Sequence, residues 1–184
     1  MPEFMRKFFR IVNRFFMVPI FRLGLGPVMV NPLSGYIMVM KTIGRKSGKV
    51  RYAPVNYAIW KGKIYCISGG RENSDWFKNL KATKEIEVIL PGGAIFGSVN
   101  PETESVDRLQ IIRRILQNAG FAGFFEGYNP WKIPDDALAE KTADFPLIEI
   151  TPIGIGNAAV DPNGWSWILS ILVMIAIILL IIFL

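Results

Sequence analysis

The chain has 184 residues, enough for one domain and cramped for two. It contains no histidine and a single cysteine, Cys66, which excludes Ser-His-Asp and Cys-His catalysis, His-ligated metals, a disulfide framework and a zinc ribbon. Residues 1–84 hold 16 Lys and Arg against 3 Asp and Glu, whereas residues 85–184 hold 5 against 12. So basic a first half calls for an anionic partner: membrane lipid, nucleic acid or a phosphorylated small molecule. The acidic second half argues against a general nucleic-acid binder, and basic and aromatic residues interleave only at Arg51-Tyr52 and Trp60-Lys61. Hydrophobic residues make up 51% of the chain and mean hydropathy is +0.33, too apolar for a disordered chain and a hint of membrane.

Residues 1–22 predict a helix. Phe4, Phe8, Phe9, Ile11, Val12, Phe15 and Phe16 recur at helical spacing, with Arg6, Lys7, Arg10 and Arg14 over much of the other face. Such a basic amphipathic helix suits an anionic lipid surface; packing on the domain, or lining its pocket, is the alternative. YIMVMKT (36–42) predicts a first strand and GRKSGK (44–49) a turn. VRYAPVNYAIW (50–60) predicts a second strand, with an edge or a bulge near Pro54. KGK (61–63) is a tight turn and KIYCIS (63–68) a third strand. Gly69 and Gly70 break that strand, and Ser74 then caps a short helix reaching about Thr83. EIEVIL (85–90) and AIFGSVN (94–100) form a hairpin. Residues 102–119 predict an amphipathic helix with Val106, Leu109, Ile112, Ile115 and Leu116 as its stripe. A Gly- and Phe-rich loop, a weak helix near 135–142 and a last strand at 145–153 follow.

Residues 165–184 carry no charge, Pro or Gly. Twenty such residues span roughly 30 Å as a helix, the thickness of a bilayer's hydrocarbon core. Trp165 and Trp167 stand where interfacial aromatics belong. The segment reads as a single-pass C-terminal tail anchor, with the catalytic domain expected on the cytoplasmic side. The fold class is therefore mainly β (α+β): a small six-stranded antiparallel barrel with peripheral helices, plus a transmembrane helix. The division is residues 1–22 (basic amphipathic helix), 23–160 (barrel) and 165–184 (anchor). A six-stranded barrel is too narrow for a large ligand inside. A ligand is expected in an outer groove that a helix, loop or second subunit completes.

The segment from Thr42 to Arg51 places Arg45, Lys46, Lys49 and Arg51, the hydroxyl of Ser47 and two glycines within ten residues. Turn amides can form an anion nest, and Arg grips phosphate or carboxylate in a bidentate fashion. A solvated basic turn is the plainer reading of the same composition. The spacing is not that of a Walker motif.

The order Thr42-x-Gly44-Arg45-Lys46-Ser47-Gly48, Arg51-x-x-Pro54-Val55, then Asp75-Trp76-Phe77-Lys78-Asn79-Leu80-Lys81-Ala82 resembles the deazaflavin-dependent nitroreductase family. The resemblance covers roughly residues 20–152. It implies a split β-barrel and coenzyme F-420, a deazaflavin bearing a phospholactyl-oligoglutamate tail. It implies phosphate and tail contacts at Arg45, Lys46, Ser47 and Gly48, with a second cation at Arg51. Pro54, Val55 and Asn56 would run past the ring; Cys66, Ile67, Ser68 and Gly69 would end a strand beside it. Asp75, Trp76 and Asn79 would close the site, while packing against the barrel accounts equally well for Trp76. A dimer is an expectation of the resemblance alone. Phe121 and Phe124 stand where nitro-reducing members often carry tyrosines, so the substrate does not carry over.

The implied activity is hydride transfer from the reduced deazaflavin, with Ser68 as a hydrogen-bond donor near the ring and Tyr128 as proton donor to the acceptor. No metal is called for. The anchor favours a lipophilic acceptor, a membrane quinone first and an unsaturated isoprenoid or fatty-acyl group second, with nitro compounds incidental. The rival readings are an FMN-dependent reductase of the same fold and a non-catalytic deazaflavin carrier at the membrane.

Overall fold

The computed structural model describes residues 3–157 together with Leu172, Ile175, Ala176, Ile178, Leu179 and Leu180. The anchor expected at 165–184 thus lies mostly outside the described residues, among which no helix is long and apolar enough to cross a membrane.

Six antiparallel strands close into a barrel: β1 Ile37–Ile43, β2 Val50–Trp60, β3 Lys63–Ile67, β4 Glu85–Leu90, β5 Gly93–Asn100 and β6 Leu147–Ile155. The order around the barrel is β1-β2-β3-β6-β5-β4, with β4 returning to β1. All six agree with the sequence reading to within one or two residues at almost every end, since each is an apolar run between Gly, Pro or polar turns. The β2–β3 turn is Lys61-Gly62, both at positive φ (48° and 78°), the backbone that lets a two-residue turn follow the strand twist.

Met38, Met40, Ala53, Ile64, Cys66, Val88, Ile148 and Ile150 fill the interior, and Phe77 and Leu80 join that cluster from α4 (Asp75–Lys81). Burying each large side chain fully is worth about 1.5–3 kcal/mol. The YIMVM run is apolar on both faces because both are covered. Met38 and Met40 point inward, while Val39 packs outward against Met17, Val18 and Phe21.

Those three residues belong to the N-terminal helix, here α1 (Glu3–Val12), a π-helical turn (Asn13–Met17) and α2 (Val18–Arg22). The widened turn lies just ahead of Pro19, whose ring displaces the carbonyl four residues back and which has no N–H to bond it. The helix α3 (Gly26–Met29) leads into β1. Behind the barrel, α5 (Arg108–Gln117) packs on Ala58, Tyr65 and Leu147, joined by Leu138 of α6 (Asp135–Thr142).

One expectation is met in its first form, since an edge and not a bulge lies at Pro54, and one is corrected. No bulge occurs at Pro54, which pairs in register with Val39; the barrel's irregularity falls at Phe96/Gly97. β2 has no strand on its other side there, so a missing N–H does no harm. At Gly97 a Cβ would lie 2.3 Å from Ile150 Cγ2, so the barrel closes only around a glycine. The helix expected at 102–119 starts only at Arg108, leaving Val106 fully exposed outside it. Trp60 Nε1 (2.9 Å) and Lys61 Nζ (2.6 Å) donate to the Asp107 carboxylate, and Ile111 N–H to Asp107 O opens the helical ladder.

Glu149 ties β6 to β3. Burial alone would raise its carboxyl, but bonds from Lys63 Nζ (2.7 Å) and Tyr65 Oη (2.8 Å) outweigh that and hold it below the ordinary range. Burial also pushes the Cys66 thiol up to about 12. The native chain should therefore resist a thiol reagent at pH 8 and react stoichiometrically in denaturant. Rapid labelling of native protein would contradict the barrel packing.

Candidate active site

β2 is the longest strand and changes partner midway. Val50–Asn56 pair with β1, Tyr57–Trp60 with β3. The free side of Val50–Asn56 opens into a cavity of about 960 Å³ that the N-terminal helix closes from the other side. This is near the top of the roughly 300–1,000 Å³ range of ligand sites. The groove is completed by the chain's own helix, through Phe9, Arg10, Asn13, Arg14, Phe16 and Met17. Trp76, Phe121 and Ala122 close the remaining wall. A smaller cavity of about 210 Å³ adjoins it, sharing Val55, Asn56, Trp76 and Ala122 and adding Ile67, Gly69, Ile115 and Leu116.

The larger wall carries three arginines, Arg10, Arg14 and Arg51, and no Asp or Glu. Among the described residues none of the three has an ion-pair partner, whereas Lys41, Arg45, Lys61, Lys63, Arg71, Lys81 and Arg113 all do. Aromatic surface comes from Phe9, Phe16, Tyr52, Trp76 and Phe121, with Phe9 stacked on Phe121 at 6.3 Å. The arrangement suits a planar heterocycle joined to an anionic tail.

Of the residues expected from sequence, Arg51, Pro54, Val55, Asn56 and Trp76 meet in the larger cavity, and Ile67 and Gly69 in the smaller. Asn56 Nδ2 donates to Tyr36 O at 3.2 Å. Arg45, Lys46, Ser47 and Gly48 lie in the turn beyond β1 and line neither cavity. That turn is built locally: Gly44 N–H donates to Lys49 O, and Gly48 sits at φ 63°. Arg45 is committed to α4. Its guanidinium pairs with Asp75 Oδ1 at 3.2 Å, and both its backbone N–H (3.1 Å) and Nη1 (3.2 Å) donate to Asn79 Oδ1. Cys66 points into the barrel core. Ser68 is buried, its hydroxyl donating to Arg71 O at 2.9 Å and bonding Ser74 Oγ at 3.2 Å, which closes the loop before α4. Tyr128 packs against the α5–α6 cluster, with Lys141 Nζ 5.9 Å from its ring, and lines neither cavity.

Sequence reading left Arg10 and Arg14 between a lipid face and a pocket-lining one, of which the cavity wall supports the second, and did not single out Tyr52 or Met17. The signal was present. Arg10, Asn13, Arg14 and Met17 share one helical face, and the apolar Met17 at its end ties that face to the barrel.

A family model for F-420H2-dependent quinone reductases matches residues 20–118, more than half of the chain. The chain belongs to this family. It is an F-420-dependent oxidoreductase, and coenzyme F-420 is its cofactor. The match spans β1 to β5, the 44–49 turn, Trp76 and the open side of β2, but not the cavity-lining helix residues before Pro19. No curated protein matches the chain significantly. Solved structures give distant likenesses. A pyridoxamine 5'-phosphate oxidase candidate from Listeria innocua is 12% identical, with a TM-score of 0.46, over 66% of this chain and 86% of that one. The haem storage protein HutZ from Vibrio cholerae is 12% identical at 0.45, over 71% and 89%. An F-420 reductase is 12% identical at 0.43, over 70% and 92%.

The Arg45–Asn79 latch has a testable role. Asn79 is buried and accepts two bonds, so Asn79→Ala should cost about 1–3 kcal/mol and free the basic turn. Thermal melting with limited trypsin digestion at Arg45 and Lys46 reads both effects. Unchanged melting and protection would remove the latch.

Proposed function

We propose that this F-420-dependent oxidoreductase reduces a lipophilic quinone at a membrane surface, with its barrel on the cytoplasmic side. The observation that carries the reading is the cavity beside β2: three arginines without an ion-pair partner among the described residues (Arg14 also lies 5.3 Å from the Phe15 ring), no carboxylate on the wall, and aromatic walls. A deazaflavin ring needs the flat apolar surface, and its phosphate and glutamates need the cations. Membrane placement is supported by the uncharged run at 165–184 and by exposed Phe4, Phe8, Ile11 and Phe15 on the N-terminal helix. The family description names a quinone as acceptor.

When bound in reduced form the coenzyme supplies a hydride; with one proton this turns a quinone into the hydroquinone. The chain's part is binding and orientation. Every second residue of Val50–Asn56 turns its backbone groups away from β1, toward the cavity, where they can pair with a ring edge. Trp76 and Val55 form the wall common to both cavities, so they set the plane of a ring and the approach of an acceptor. Arg51 neutralises negative charge at the open end of β2. Apolar Phe9, Phe16, Met17 and Phe121 keep water from the reacting face. Ser68 acts through the loop that holds α4 rather than at a ring atom. With Tyr128 outside both walls, the proton is assigned to solvent.

Fluorescence titration of the detergent-solubilised chain should show coenzyme F-420 binding more tightly than FMN, and Arg51→Ala should weaken F-420 binding roughly tenfold. Preference for FMN would contradict the reading. Equal affinity of Arg51→Ala would remove Arg51 from it.

A further inference from the structure

The helix that closes the cavity has two unlike faces. Phe4, Phe8, Ile11 and Phe15 follow one another at intervals of four, three and four residues, and all are exposed. Phe9, Arg10, Asn13, Arg14 and Met17 lie on the cavity side. Met17 is buried against the barrel with Val18 and Phe21, which fixes the helix's rotation and carries Arg10 and Arg14 to the cavity rim. Arg10 and Arg14 are four residues apart along the helix, and Arg51 enters the same cavity from β2.

Three like charges around one hollow repel one another, and nothing acidic on the wall offsets them. Elsewhere in the chain Arg45 and six further cations each have a carboxylate. A polyanionic ligand relieves that repulsion, and a chain of carboxylates can engage separated arginines in turn. Of the turn cations that the resemblance assigned to the anion, Arg45 is held by Asp75 and Asn79, while Lys46 has no ion-pair partner among the described residues but lies outside the cavity wall.

We propose that Arg10 and Arg14 bind the anionic tail of the coenzyme together with Arg51, which makes the N-terminal helix a coenzyme clamp. The proposal rests on the F-420 reading. It adds two binding residues that lie outside the span matched by the family model. The helix then contributes tail affinity and leaves ring recognition to β2 and Trp76.

The test titrates two fluorescent ligands, coenzyme F-420 and the deazaflavin alcohol lacking phosphate and glutamates, into the full chain, Arg10→Ala/Arg14→Ala and Arg10→Lys/Arg14→Lys. The expected result is a tenfold or greater loss of F-420 affinity in the alanine pair, with the tail-less ligand unaffected. The lysine pair should keep most of the affinity, and the salt dependence of F-420 binding should flatten only in the alanine pair. Unchanged F-420 affinity in the alanine pair overturns the clamp. An equal loss for both ligands overturns it too, because the helix would then support the ring rather than the tail. If the unaltered chain binds the tail-less ligand as tightly as F-420, the clamp fails and the coenzyme reading stands; if it binds neither, both fail.

Discussion

Seven residues of one strand, Val50–Asn56, have a neighbouring strand on one side only, and the rest of the site depends on that. A backbone edge left bare inside a fold is costly, because its N–H and C=O groups must find partners. Here β2 leaves β1 at Asn56 and joins β3 at Tyr57, so residues 50–56 keep one side open in an otherwise closed barrel. Pro54 is tolerated in that stretch for the same reason. The N-terminal helix covers the gap at a distance, leaving space for a ligand between helix and strand.

Charge follows the same geometry. The first half of the chain is strongly basic, but its cations are not equivalent. Some serve the fold: Lys41 binds the nearly buried Glu87 at 2.8 Å, and Arg45 ties a turn to α4. Three arginines without carboxylates, Arg10, Arg14 and Arg51, line one cavity wall, whereas Arg108, also without one, donates to the backbone carbonyls of Thr142 and Phe145. Composition reports only the sum. The pairing pattern separates cations that hold the barrel from cations without a carboxylate; of the latter, Arg10, Arg14 and Arg51 line the cavity where the anion site is proposed, and Lys46 and Lys49 stand in the 44–49 turn.

The barrel was almost fully legible in the sequence, because short apolar runs between Gly and Pro turns leave few alternatives to strands. The start of α5 was not. Residues 102–107 look helical by period, yet Asp107 is claimed by Trp60 and Lys61, neighbours remote in sequence. The site was legible in part. Arg51, Val55, Asn56 and Trp76 were implied by the family resemblance and meet in the cavity. The placements of Ser68 and Arg45 depend on which neighbour their polar atoms reach, Ser74 and Asn79, and spacing carries no such information. The helix could be read as amphipathic, but an amphipathic pattern does not say which face meets the protein.

The central claim is that the coenzyme occupies the space between the N-terminal helix and the open side of β2. Hydrogen–deuterium exchange of the full chain, with and without saturating coenzyme F-420, tests it directly. The account predicts added protection in peptides covering residues 9–17 and 50–56. Protection appearing instead at β3 and β6 alone, or in the 44–49 turn with the helix unchanged, would contradict it.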